Sequence, residues 1–261
     1  MKRMYDHETI FVQYPVGAGG WFLTSLIYHR YDPRDSFEFD QLGSGHGNRA
    51  IQYINNFYKD FLRSELGEKI LEDVGYDTFS KEQRVKHIQD SLLISPLANN
   101  NAPQVVSLHC KNIEIFLEAF PNSKCIQINI EQEDLITCTF NYLFKILAVT
   151  PLNFETFCEE RGIVGDEFKL AQEKVKNLTQ ENMKYFQWVT PFIEKTAKTA
   201  PNNPLYDDRI FEIDYKDYMT DTPHAVLKAI FEFLDSPTDP QLLDTLAGYM
   251  LTYRSLQPKL K

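Results

Sequence analysis

The residues best placed for chemistry lie in one glycine-dense turn, Pro15-Val16-Gly17-Ala18-Gly19-Gly20-Trp21. It follows the apolar run Ile10-Phe11-Val12 and Tyr14. A strand, a glycine turn and a helix together aim several backbone N–H groups at one point, where the helix dipole also favours negative charge. Three of the chain's eleven glycines fall within four positions here, so the backbone itself has a special requirement at this turn. No lysine completes the turn, and amides alone make a weaker anion cradle. The plainer alternative is a tight strand-to-helix turn whose glycines permit close packing.

A second candidate is His109, which ends the apolar run Val105-Val106-Ser107-Leu108. As a general base it would take a proton from an acceptor hydroxyl, a role suited to a pKa near neutrality. Lys111 follows closely and could balance charge developing on a transferring group. A buried, hydrogen-bonded histidine and a solvated lysine are the structural alternatives. Glu131, Glu133 and Asp134 open a helix, where acids offset the dipole. They could instead hold a metal or a cationic acceptor. Gly43-Ser44-Gly45-His46-Gly47-Asn48 reads as a flexible loop, or as a lid carrying His46 over the glycine turn. Tyr14 and Trp21 flank that turn as core residues or as a platform for adenine. Asp214 and Tyr215 end a strand, in packing and capping roles.

The elements that must position these groups alternate. Residues 9–15 read as a buried strand and Gly19 to about Arg30 as a helix, with Phe22, Leu23, Leu26 and Ile27 on one face. Residues 32–48 read as loop, and helices follow between Ala50 and Ala98. Further strands are expected at Gln104 to Cys110, Lys124 to Ile130 and Arg209 to Tyr215. Helices are expected at Asn112 to Phe120, Glu131 to Val149, about 222–235 and about 239–255, with a polar helical segment at 152–198. Strands alternating with helices predict a three-layer α/β domain, a parallel sheet flanked by helices. The whole chain, 1–261, reads as one such domain with a helical insertion at about 50–98.

Composition narrows the function. With 37 acids against 27 bases the net charge is −10, which argues against a general nucleic-acid or anionic-membrane binder. A hydrophobic fraction of 43% is ample for a core. No apolar run reaches the roughly 18–20 residues of a membrane span. The N-terminus turns acidic before any apolar run, unlike a signal peptide. Cys110, Cys125, Cys138 and Cys158 lack CxxC spacing, so free thiols in a cytoplasmic protein are expected.

Taken in order, the segments at the strand ends resemble the sulfotransferase family, whose fold is P-loop-like and whose donor is 3′-phosphoadenosine 5′-phosphosulfate (PAPS). The family's phosphosulfate loop reads roughly Tyr-Pro-Lys-Ser-Gly-Thr-Thr-Trp-Leu; this chain has Tyr14-Pro15-Val16-Gly17-Ala18-Gly19-Gly20-Trp21-Phe22-Leu23. Ser107-Leu108-His109-Cys110 falls where the family has Lys-Thr-His-Leu-Pro, whose histidine is the base. Ile130 to Cys138 falls where the family binds the 3′-phosphate with Arg-Asn-Pro-x-Asp-x-x-x-Ser. Phe211 to Tyr218 and His224 to Leu234 are similar to its late strand and helix. Val16 replaces the family's lysine, Gly19 and Gly20 its hydroxyl residues, Ile130 its arginine and Cys138 its serine.

The resemblance implies sulfuryl transfer from PAPS to a hydroxyl or amine acceptor, a small molecule or a glycan. His109 and Lys111 would serve the chemistry, and Pro15, Val16, Gly17, Ala18, Gly19, Gly20, Trp21 and Cys138 would hold the donor. Two alternatives stand beside it. One is a degenerate member kept as a binding or assembly module, which the lost cations and the acids at 131–134 favour. The other is Mg²⁺-dependent phosphoryl transfer, which lacks the Gly-Lys-Ser/Thr ending.

Overall fold

Five consecutive buried residues, Thr9–Gln13, form β1, the strand on which the rest is organised. A computed structural model describes residues 9–15, 18–31, 37–39, 45–47, 61, 64–72, 75–93, 103–110, 112–131, 134–135, 138, 159, 164–166, 169 and 204–256. Helix α1 is Gly20–Tyr31, followed by two short strands, β2 (Phe37–Phe39) and β3 (Gly45–Gly47). Then come α2 (Glu65–Glu72), α3 (Lys81–Leu93), β4 (Gln104–Leu108), α4 (Glu114–Ala119) and β5 (Lys124–Asn129). The last elements are β6 (Ile210–Asp214), α5 (Tyr215–Tyr218), α6 (His224–Phe233) and α7 (Pro240–Ser255).

The main sheet is parallel throughout, in the order β4-β1-β5-β6. β1 and β4 read as continuous apolar or buried runs because both faces of the sheet are covered. Side chains alternate between two cores with the two-residue period of a strand. Ile10, Val12, Val105, Ile126, Ile128 and Ile213 enter a core built by α1, α6 and α7. Phe11, Val106, Leu108, Cys125 and Ile210 enter a second core with Leu66 of α2, Ile88 of α3 and Phe116 of α4. The result is the three-layer α/β arrangement that the alternation of elements predicts.

Arg209 fastens β6 to the far layer. Its Nε donates to the Ser123 carbonyl at 2.9 Å, and its Nη2 to the carbonyls of Leu117 at 2.8 Å and Phe120 at 3.0 Å. One guanidinium thus ties together buried carbonyls at the end of α4 and in the turn that follows it.

One expectation fails within 32–48. Part of that segment is an antiparallel pair, with Phe37 opposite Gly47 and Phe39 opposite Gly45. Phe37 and Phe39 point to the same side, where Phe37 stacks on Tyr249 at 4.4 Å and meets Phe22 at 5.7 Å. Three-residue strands, one of them glycine-rich, carry too little periodicity to be read from sequence. Residues 134, 135 and 138 are helical, in keeping with a helix opening near Glu131. The other residues expected in that helix, and nearly all of 152–198, lie outside the described residues. Among the described residues no helix is long and apolar enough to cross a membrane.

Candidate functional site

β1 runs into α1 on one face of the sheet, while β4, its neighbour, runs into α4 on the other. Adjacent parallel strands whose connections diverge open a crevice at their carboxyl ends. The glycine turn and His109 stand at that crevice.

Three hydrogen bonds continue the β1–β4 pairing beyond the sheet. The Tyr14 amide donates to the Leu108 carbonyl at 3.1 Å, and Gln13 Nε2 donates to the Cys110 carbonyl at 2.7 Å. Between them, His109 Nδ1 lies 3.0 Å from the Tyr14 carbonyl. A carbonyl can only accept, so Nδ1 carries the hydrogen, and Nε2 holds a lone pair in the neutral ring. Tyr14 also packs edge-on against the imidazole, with ring centroids 4.2 Å apart. Desolvation holds the His109 pKa down to about 4, although the bond to Tyr14 pulls it upward. The ring is therefore neutral at physiological pH. Part of it remains in contact with solvent.

The glycine turn is built for close approach. Gly19 adopts φ +73, and a β-carbon there would lie 2.5 Å from the Tyr253 hydroxyl. A β-carbon on Gly20 would fall 1.9 Å from the Tyr14 ring. Tyr218 donates its hydroxyl to the Gly19 carbonyl at 3.3 Å, and Tyr253 stacks on Phe22 at 4.1 Å. Close packing alone thus demands glycine at both positions. The Leu23 amide donates to the Gly19 carbonyl at 3.1 Å, and Gly20 to Phe22 form the first turn of α1 ahead of it. Ala18 is buried, its amide donating to the Pro15 carbonyl at 3.0 Å, and Trp21 is half-buried against the first core. Val16, Gly17 and Lys111 lie outside the described residues.

At the carboxyl ends of β5 and β6 the structure supplies a cation that the local sequence lacks. Lys216, from α5, sits 2.9 Å from Glu131 and 3.5 Å from the buried Asp134. Its hydrogen bond to Glu131 raises its pKa. Asp214 caps α5 by accepting the Lys216 amide at 2.8 Å. Cys138 is buried in the first core, and its thiol donates to the Tyr215 hydroxyl at 3.3 Å. Burial in turn pushes the Tyr215 phenol well up. Glu133 lies outside the described residues, and His46 belongs to β3, in register with Glu38. No group of three or more potential metal ligands gathers among the described residues.

Sequence reasoning finds His109 and the glycine turn, reaches Lys216 and Tyr218 only as part of the segment Phe211 to Tyr218 without their partners, and misses the roles of Gln13 and Tyr253. Tyr218 is 199 positions from Gly19, and Lys216 is 85 from Glu131, so no spacing rule could link them.

No protein-family model matches this chain. Over 198 aligned residues it is 25% identical to the type II methyltransferase M.MjaII of Methanocaldococcus jannaschii, a match covering 64% of this chain and 36% of that protein. The chain therefore spans little more than a third of the curated relative it matches. Among solved structures it is similar to retinol dehydratase in complex with androsterone and inactive cofactor PAP. That likeness has 10% identity and a TM-score of 0.46, over 96% of this chain and 65% of the other. It is also similar to the sulfotransferase domain from the curacin biosynthetic pathway, at 14% identity and a TM-score of 0.33, over 90% of this chain and 76% of that one. The α/β class rests on the parallel sheet and its two covered faces, not on these likenesses.

Proposed function

We propose that this protein transfers a sulfuryl group from PAPS to a hydroxyl or amine acceptor of a small molecule or glycan. The observation that carries the reading is the 3.0 Å bond from His109 Nδ1 to the Tyr14 carbonyl. It ties a neutral imidazole to the residue that leads the chain into the glycine turn. The donor's 5′-phosphosulfate would lie over the turn from Pro15 to Trp21, held by amides at the head of α1. The acceptor oxygen or nitrogen attacks sulfur in line, its proton passes to His109 Nε2, and the sulfur–oxygen bond to phosphate breaks. The departing electron pair leaves with 3′,5′-ADP. A pKa of about 4 makes a weak base, and the donor's negative charge beside the ring would raise it. Lys111 would balance charge on the transferring group. The 3′-phosphate would lie past the end of β5, where Lys216 offsets one of the two described carboxylates and Cys138, buried in the first core, would support the site from beneath.

A second reading is methyl transfer from S-adenosylmethionine. The methyltransferase relative favours it, as do Glu131 and Asp134 at the end of β5. A sulfonium donor brings positive charge and no phosphate, so it needs neither a lysine in the turn nor a free cation near β5. Calorimetry with 3′,5′-ADP and with S-adenosylhomocysteine separates the two. Micromolar binding of 3′,5′-ADP alone supports sulfuryl transfer, and binding of the other product alone supports methyl transfer. Binding of neither, even at high micromolar concentration, overturns both and leaves a binding or assembly module.

A further inference from the structure

We propose that Gln13 is a positioning residue for His109, fixing the imidazole's tautomer and its place at the head of the crevice. This rests on the reading of His109 as the base. β1 and β4 pair in register from Thr9 with Gln104 to Gln13 with Leu108, and ordinary ladder bonds end there. His109 is the first residue past that ladder, where a strand end would otherwise be free to turn away. Two contacts bracket it. On one side the Tyr14 amide holds the Leu108 carbonyl, at 3.1 Å. On the other side the Gln13 carboxamide holds the Cys110 carbonyl, at 2.7 Å, across 97 positions of sequence. With both neighbours pinned, His109 has one place to put its ring, under Tyr14, where Nδ1 meets the Tyr14 carbonyl.

The orientation of the Gln13 amide is settled by its partner. Cys110 offers a carbonyl oxygen, so the Gln13 nitrogen must face it. Gln13 is 1% exposed, and its bond to Cys110 is correspondingly shielded from water. A glutamine at the last position of a fully buried central strand has no packing advantage over leucine or methionine. Its carboxamide is justified by what it holds.

The test is ¹⁵N-detected NMR of the His109 imidazole in the full chain, in the wild type and in the Gln13→Met and Gln13→Asn variants. Methionine keeps the length and removes the donor; asparagine keeps the amide and withdraws it by one methylene, roughly 1.3 Å, beyond hydrogen-bond reach. In the wild type, Nδ1 is expected to carry the hydrogen and the ring to titrate near 4. In both variants the tautomers are expected to mix and the midpoint to move toward the ordinary value of about 6.5. Both changes are expected without loss of the far-ultraviolet circular dichroism of the fold. A wild-type tautomer with Nδ1 bare, or variants that keep the wild-type tautomer and midpoint, would overturn the proposal. Should Gln13→Met fail to fold, the same criteria apply to Gln13→Asn, whose buried amide is the milder change. Product calorimetry reports on the catalytic reading separately, so an absent nucleotide signal beside an altered His109 tautomer refutes sulfuryl transfer and not the positioning.

Discussion

The Tyr253 hydroxyl occupies the space where a side chain on Gly19 would begin, 2.5 Å from the position of that β-carbon. A tyrosine from the last described helix thus closes the underside of the turn between β1 and α1. Gly19→Ala meets two obstacles, a left-handed backbone costing about 1–2 kcal/mol and the collision itself. The expected result is a Tm lower by several degrees. Gly20→Ala is expected to cost more, because the Tyr14 ring must leave and its contact with His109 goes with it. Thermal melts of both variants check this, and unchanged midpoints would refute the packing.

His109 makes the fold sensitive to acid. Between about pH 6.5 and pH 4 the unfolded chain takes up a proton at this ring that the folded chain refuses. Stability contributed by the neutral ring is complete above pH 6.5 and declines as pH falls through that window, by up to about 3 kcal/mol. Urea unfolding at stepped pH is expected to show this slope, and His109→Gln to flatten it by about one proton.

Arg209 is expected to be irreplaceable by lysine. Its fork reaches carbonyls of Leu117, Phe120 and Ser123 together, and a single ammonium cannot. Burial already lowers its pKa, yet leaves it charged. Arg209→Ala and Arg209→Lys should each lose about 2–3 kcal/mol in denaturant titrations. A lysine variant of wild-type stability would contradict this.

Glu131 discriminates between the two donors. It is an exposed carboxylate beside Lys216, and replacing it with glutamine removes a negative charge and leaves that lysine facing Asp134 alone. If the donor carries a 3′-phosphate near β5, Glu131→Gln should tighten 3′,5′-ADP binding, by up to about fivefold. If the donor is a sulfonium, the same change should weaken binding of S-adenosylmethionine. Titration calorimetry at low and high salt reads both, and an effect that persists undiminished at high salt would argue against electrostatics.

The strands were legible because runs such as Ile10-Phe11-Val12 and Cys125-Ile126-Gln127-Ile128 are short, apolar and bounded by turn residues. The glycine turn and His109 were legible because strand ends in a parallel sheet are where function is expected. Lys216 was not, since its carrier α5 has four residues and its partners lie past the end of another strand, β5. Gln13 was hidden in the same way: as the last residue of a strand it looks like the point where burial ends, whereas it is 1% exposed and bonded to Cys110. The stacking of Phe22 on Tyr253 and of Phe37 on Tyr249 depends on how α7 lies against α1, which no local pattern encodes.

The separations that hide the site from sequence also set when it can form. Tyr14 and His109 stand 95 positions apart, and Gly19 and Tyr218 stand 199 apart. A ribosome adding roughly 5–20 residues per second leaves β1 without its sheet neighbours for several seconds. During that interval an apolar strand and an open glycine turn are exposed together. Contacts of such high order fold slowly, so the crevice is among the last features to close. A chain shortened before α7 would lack the tyrosine packed under Gly19, and the turn after β1, made long before α7, would be left unfinished.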